Sequence, residues 1–141
     1  MFSKSNLLAT LAAAFVMFLL GWAIWGFALE DFFESHTISD VMKDEPNPIL
    51  ILVSNLIGAF ILSSIYRKWA RGQHGIKEGP EFGIAVGAFT GLSMGLMWYA
   101  TSNWMNFTGH LAEVIIEIMY YALVGIVISV IYNITRKADN S

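Results

Sequence analysis

The sequence predicts an all-α integral membrane protein, a four-helix bundle with both termini in the cytoplasm. Three observations carry this expectation. Four apolar runs fill most of the 141 residues: Leu7–Leu29, Ile49–Tyr66, Phe82–Gly109 and Leu111–Ile134. The first three contain no Asp, Glu, Lys or Arg. Basic residues gather at the chain ends and in the loop after the second run. A helix needs roughly 20 apolar residues to cross the hydrocarbon core. Only helices and closed barrels satisfy the backbone there, and these runs lack barrel alternation.

Composition agrees. Apolar residues make up 56% of the chain and charged residues 13%, against roughly 25% charged in soluble domains. The whole chain, 1–141, reads as one transmembrane domain with spans at about 7–29, 49–70, 82–105 and 110–134. The loops Glu30–Asn47 and Arg67–Glu81 are too short for a soluble domain. There is no Cys, which excludes disulfides, thiolate metal ligands and thiol nucleophiles.

Span one starts after Lys4 and resembles a signal peptide near Ala12, Ala13 and Ala14. Its apolar run continues to Leu29, longer than the roughly 7–15 residues of a signal core, so a retained anchor is expected. Loop one carries Glu30, Asp31, Glu34, Asp40, Asp44 and Glu45 and one basic residue, Lys43. Ile38, Val41 and Met42 fit one helical face, as in a short interfacial turn or a solvated loop. Asn47-Pro48 reads as an N-cap with Pro at the first helical position of span two. Gly72, Gly75 and Gly79-Pro80 break the chain before span three. Thr108-Gly109 turns it into span four, with Thr108 as N-cap. So tight a turn makes those spans antiparallel neighbours.

Lys4, Arg67, Lys68, Arg71, Lys77, Arg136 and Lys137 decide orientation. The positive-inside rule assigns both termini and loop two to the cytoplasm, and loop one and the Gly109 turn to the outside. Trp69, Tyr66 and Tyr132 then mark the inner interface, and Trp25, Trp98 and Trp104 the outer one. The basic cluster is a topology signal with an option of anionic lipid contact, and no nucleic-acid partner is expected.

Gly79, Gly83, Gly87, Gly91 and Gly95 recur every four residues, the last four within span three. Such a stripe is a groove that admits another backbone. Span two offers a matching row, Asn55, Ala59 and Ser63, flanked by Ser54 and Gly58, and span four offers Ala122, Gly125 and Ser129. The groove packs a helix of the same chain, or one of a second copy, or, as the weakest reading, holds a ligand.

His110, Glu113 and Glu117 share one face of span four. Glu117 stands about 10 Å into the run. An ionisable group at that depth faces a bundle interior or a watery cavity. Three readings stay open: a carboxyl bonded to a neighbouring helix, with Asn55 one candidate; a cation or proton site helped by Asn103 and Asn106; or a subunit contact. A metal is not expected. His110 and Glu113 supply two ligands, His36 is a distant third, and no His-Glu-x-x-His motif exists. No cofactor motif is present, and His36, His74 and His110 read as loop histidines.

Three segments resemble a group of small, uncharacterised four-span membrane proteins of Bacteroidetes-type bacteria. They are Leu20-Gly21-Trp22-Ala23-Ile24-Trp25-Gly26, Met42-Lys43-Asp44-Glu45-Pro46 and Thr101-Ser102-Asn103-Trp104-Met105-Asn106-Phe107-Thr108-Gly109. The resemblance covers the whole chain and implies a bacterial inner membrane. It supplies no activity, substrate or catalytic residue. The expected function is non-enzymatic, through helix packing, lipids, a homo-oligomer or a larger membrane complex. The alternative is a small transporter or channel for a cation, proton or small molecule, using the outer His/Glu cluster.

Overall fold

The computed structural model describes residues 3–75 and 77–139. Among these residues the protein is helical throughout. Four helices are long and apolar enough to cross a membrane. They are α1 (Lys4–Ala28), α3 (Pro48–Trp69), α4 (Glu78–Thr101) and α5 (Phe107–Asp139). A fifth, short helix, α2 (Glu30–His36), follows α1.

Capping explains most boundaries. Ser3 caps α1 by accepting from the Asn6 amide at 3.3 Å. Asn47 caps α3 by accepting from Ile49 and Leu50 at 3.0 and 3.1 Å, with Pro48 first in the helix as expected. Three details refine the sequence reading. Asn106, not Thr108, caps α5: its side-chain oxygen accepts from the Gly109 amide at 3.0 Å. Gly79-Pro80 lies inside the first turn of α4 rather than before it, because Pro needs no amide partner there. Ile38, Val41 and Met42 form no helical turn; the helix lies earlier, at α2, and all three side chains are exposed.

Two helices contain π segments, Ile24–Ala28 at the end of α1 and Ala88–Met94 in mid-α4. The first closes with the Leu29 amide on the Ile24 carbonyl at 2.9 Å. It redirects the chain into α2.

The helices stand in the order α3, α1, α5, α4, a curved row whose neighbours pack along their lengths. Small residues make α1 the centre of this row: Ala9, Ala13 and Ala14 are buried, and Ala59 of α3 faces them in the same core. The ends of the row touch little, and there Phe82 of α4 meets Tyr66 and Trp69 of α3. At the opposite end the loops are joined by backbone pairing. Ile38 and Ser39 donate to the Trp104 carbonyl at 2.7 and 3.3 Å, and Asn106 donates to that of His36 at 3.0 Å.

The glycine stripe packs on α5. A methyl built on Gly79 would lie 2.6 Å from Ser129 Cβ, and one on Gly87 2.6 Å from the Glu117 carbonyl oxygen. On Gly83 it would collide with the Tyr121 carbonyl, and on Gly91 it would lie 3.0 Å from Val114 Cα. Four residues overshoot one α-turn by about 40°. They undershoot the wider π turn, so the π segment rotates Gly91 back onto α5. Gly95 has left the seam, with Val114 Cγ2 at 3.9 Å its nearest neighbour. Gly58 belongs to a different contact, 3.5 Å from Met17 Cε of α1.

Candidate functional site

The polar face of α5 divides between two neighbours. Glu113 accepts a hydrogen bond from Trp25 Nε1 of α1 at 2.9 Å. Glu117, one turn on, accepts from Thr90 Oγ1 of α4 at 2.9 Å. Both carboxyls are half-buried and point into the helix row. The partner of Glu117 is thus Thr90 and not Asn55. Thr90 belongs to the π segment of α4. Its hydroxyl also lies within reach of the Val86 and Gly87 carbonyls, at 3.2 and 3.3 Å. A π turn leaves backbone carbonyls imperfectly paired, and a threonine hydroxyl beside them has a choice of acceptors.

The remaining candidates do not converge on these carboxyls. His110 is 6% exposed, edge-on to Tyr99 and Trp104 at 5.4 and 6.1 Å. Its Nε2 has no hydrogen-bond partner among the described residues. Asn106 is committed to the helix cap, and Asn103 is exposed. His36 is held by the Phe32 carbonyl at 2.7 Å and stacks on the Phe32 ring. Among the described residues no three His, Cys, Asp or Glu side chains gather as a metal site.

One step deeper, the Tyr120 hydroxyl donates to the Met17 carbonyl at 3.1 Å, and Tyr120 meets Trp25 edge-on at 5.3 Å. Trp25, Glu113 and Tyr120 therefore lock α1 to α5 through two polar bonds and a ring contact. Sequence reading assigned Trp25 to an interfacial belt and missed this role. Thr10, the nearest side chain of its own helix with a hydroxyl, amide or charge, lies about four turns away, so periodicity gave no signal.

A second polar cluster occupies the other end. The Tyr132 hydroxyl donates to Asn6 Oδ1 at 3.0 Å, Ser63 bonds the same oxygen, and Asn6 Nδ2 donates to Ser64 at 3.2 Å. Three helices thereby share one buried asparagine. His74 stacks on Tyr132 with ring centroids 5.0 Å apart and reaches the Tyr66 hydroxyl at 3.4 Å. Burial lowers the His74 pKa below its ordinary value, and Arg136 lowers it further, against a smaller upward pull from Glu78. Beside this cluster opens a cavity of about 700 Å³ walled by Arg67, Lys68, Arg71, Arg136, His74 and Ser3 among others. A smaller one of about 290 Å³ adjoins it, lined by Asn6, Ser64, Arg67 and Lys68. Neither cavity is lined by Glu113 or Glu117. The sequence offered this basic group as a topology signal; its closure into a cavity depends on tertiary packing.

Comparison with known proteins found no family model, no curated protein and no solved structure that matches the chain.

Proposed function

We propose that the chain is a non-enzymatic, multi-pass protein of the bacterial inner membrane that works by contact with lipids or other subunits. The basic residues support an orientation with both termini in the cytoplasm. The observation that carries the reading is the first half of α3. Every residue from Pro48 to Ser54 is exposed, including Ile49, Leu50, Ile51, Leu52 and Val53. Two helical turns bare on all sides and almost wholly apolar require hydrocarbon or another chain around them. Native mass spectrometry of protein released from nanodiscs is the test. Retained phospholipid or a defined homo-oligomer is expected; a lipid-free monomer would refute the reading.

A second reading rests on the two carboxyls of α5, each bonded to a neutral donor on a different helix. Intramembrane carboxyls so placed are the usual parts of a proton or cation path. Proteoliposomes carrying a pH-sensitive dye decide it. Transport predicts a flux that Glu117→Gln abolishes, and no flux above empty vesicles removes this alternative.

A further inference from the structure

The walls of the large cavity come from three places in the chain. The last turn of α3 and the turn that follows it provide Arg67, Lys68 and Arg71. The end of α5 provides Arg136, and the start of α1 provides Ser3. No acidic residue lines it. Four cationic heads around one space repel each other, and no ion pair among the described residues relieves them. Glu78, whose charge is felt at His74, is outside the lining.

Two backbone features sharpen the arrangement. Arg71 takes φ 47° and Gly72 φ 82°, a left-handed pair that ends α3. For a non-glycine residue this costs roughly 1–2 kcal/mol, and a plain helix end would need glycine alone. The turn presents the Gly72 carbonyl to Arg136, which donates to it through Nη1. Arg136 is thereby tied to the rim through Nη1, and no other bond of its guanidinium is formed among the described residues. The first turn of α1, where Ser3 already caps the Asn6 amide, adds the positive end of a 25-residue helix at the same wall through Ser3 and Ser5.

Guanidinium forks, one of them held by a backbone carbonyl, a lysine, hydroxyls and a helix start are the groups that hold phosphate oxygens. We propose that this cavity binds a phosphate-ester anion, either the headgroup of an anionic phospholipid or a free phosphate compound. The adjoining smaller cavity shares Arg67 and Lys68 and continues to Ser64, one turn further into α3. It gives a lipid's glycerol backbone a route from the charged rim toward the hydrocarbon. The site deepens the contact function proposed above and rests on it only in the lipid case.

The test has two arms. In the first, protein is released into the mass spectrometer from nanodiscs of equal phosphatidylglycerol and phosphatidylcholine. In the second, protein in pure phosphatidylcholine nanodiscs is titrated with inorganic pyrophosphate while its unfolding temperature is followed. Selective retention of phosphatidylglycerol identifies a lipid headgroup. A salt-sensitive rise in unfolding temperature with pyrophosphate identifies a free phosphate compound. In whichever arm responds, Arg67→Gln and Arg136→Gln each weaken binding about fivefold. Lys77→Gln, in the same loop but outside the lining, leaves it unchanged. Equal retention of both lipids together with no pyrophosphate response in the wild type overturns the site, even if a variant fails to fold. An equal effect of Lys77→Gln overturns it too, because the attraction would then be diffuse. The first arm also reports total lipid and stoichiometry. An unselective lipid complex or oligomer would sink the site while sparing the contact function, and a lipid-free monomer would sink the contact function itself.

Discussion

His74 is the residue whose chemistry is most constrained by its place. It packs against the Tyr66 and Tyr132 rings and feels the charges of both Arg136 and Glu78. Burial keeps its folded pKa below the unfolded value of about 6.5. The folded state therefore binds fewer protons than the unfolded one between those two values. Its contribution to stability is complete above about pH 6.5 and is lost as pH falls toward the lowered pKa. Unfolding temperature measured from neutral to mildly acidic pH should fall in the wild type, and His74→Phe should flatten that slope. A slope unchanged by the substitution would show that the imidazole is not held neutral. Nothing in the sequence distinguished His74 from a solvated loop histidine. Its neighbours Tyr66 and Tyr132 are eight and 58 positions away and meet only after α3 and α5 are packed. Glu117 was the opposite case. Its isolation in an apolar run announced a partner, but the partner's identity depended on a π segment that no spacing rule reveals.

The glycine stripe is the element whose meaning was clearest from sequence, because a four-residue repeat has one geometric outcome. The choice of α5 over α3 was open, since both offered small residues at helical spacing. Packing decided it: Gly125 faces Gly79 so closely that neither tolerates a side chain. Positions along the stripe are predicted to differ sharply. Gly83→Ala drives a methyl into the backbone of Tyr121 and Ala122 and should destabilise by about 1–3 kcal/mol. Gly95→Ala meets only Val114 at ordinary contact distance and should be neutral or slightly stabilising. Thermal unfolding of the two variants in one detergent checks the contrast. Equal behaviour would mean that the α4–α5 seam is looser than described.

For the whole molecule, four apolar runs became four long helices, and this much followed from hydropathy and length. The row order α3, α1, α5, α4 did not. It depends on the alanine face of α1, whose small residues read in sequence as a signal-like segment. Orientation is the prediction at this scale. The chain has no Cys, so single-Cys variants report cleanly. An impermeant thiol reagent added to intact cells should label Ser39→Cys and spare Gln73→Cys. The reverse pattern would invert the proposed topology, along with the side on which the basic cavity opens.

The junction between the loop after α2 and the loop before α5 is written in main-chain atoms. Its three bonds use the amides of Ile38, Ser39 and Asn106 and two carbonyls. Every amino acid but one carries the same amide. The side chains on these loops can therefore drift widely over evolutionary time while the junction keeps its shape. For the junction itself proline is the single exclusion at 38, 39 and 106, since it alone has no hydrogen to give; at 106 the α5 cap adds its own demand for a side-chain oxygen.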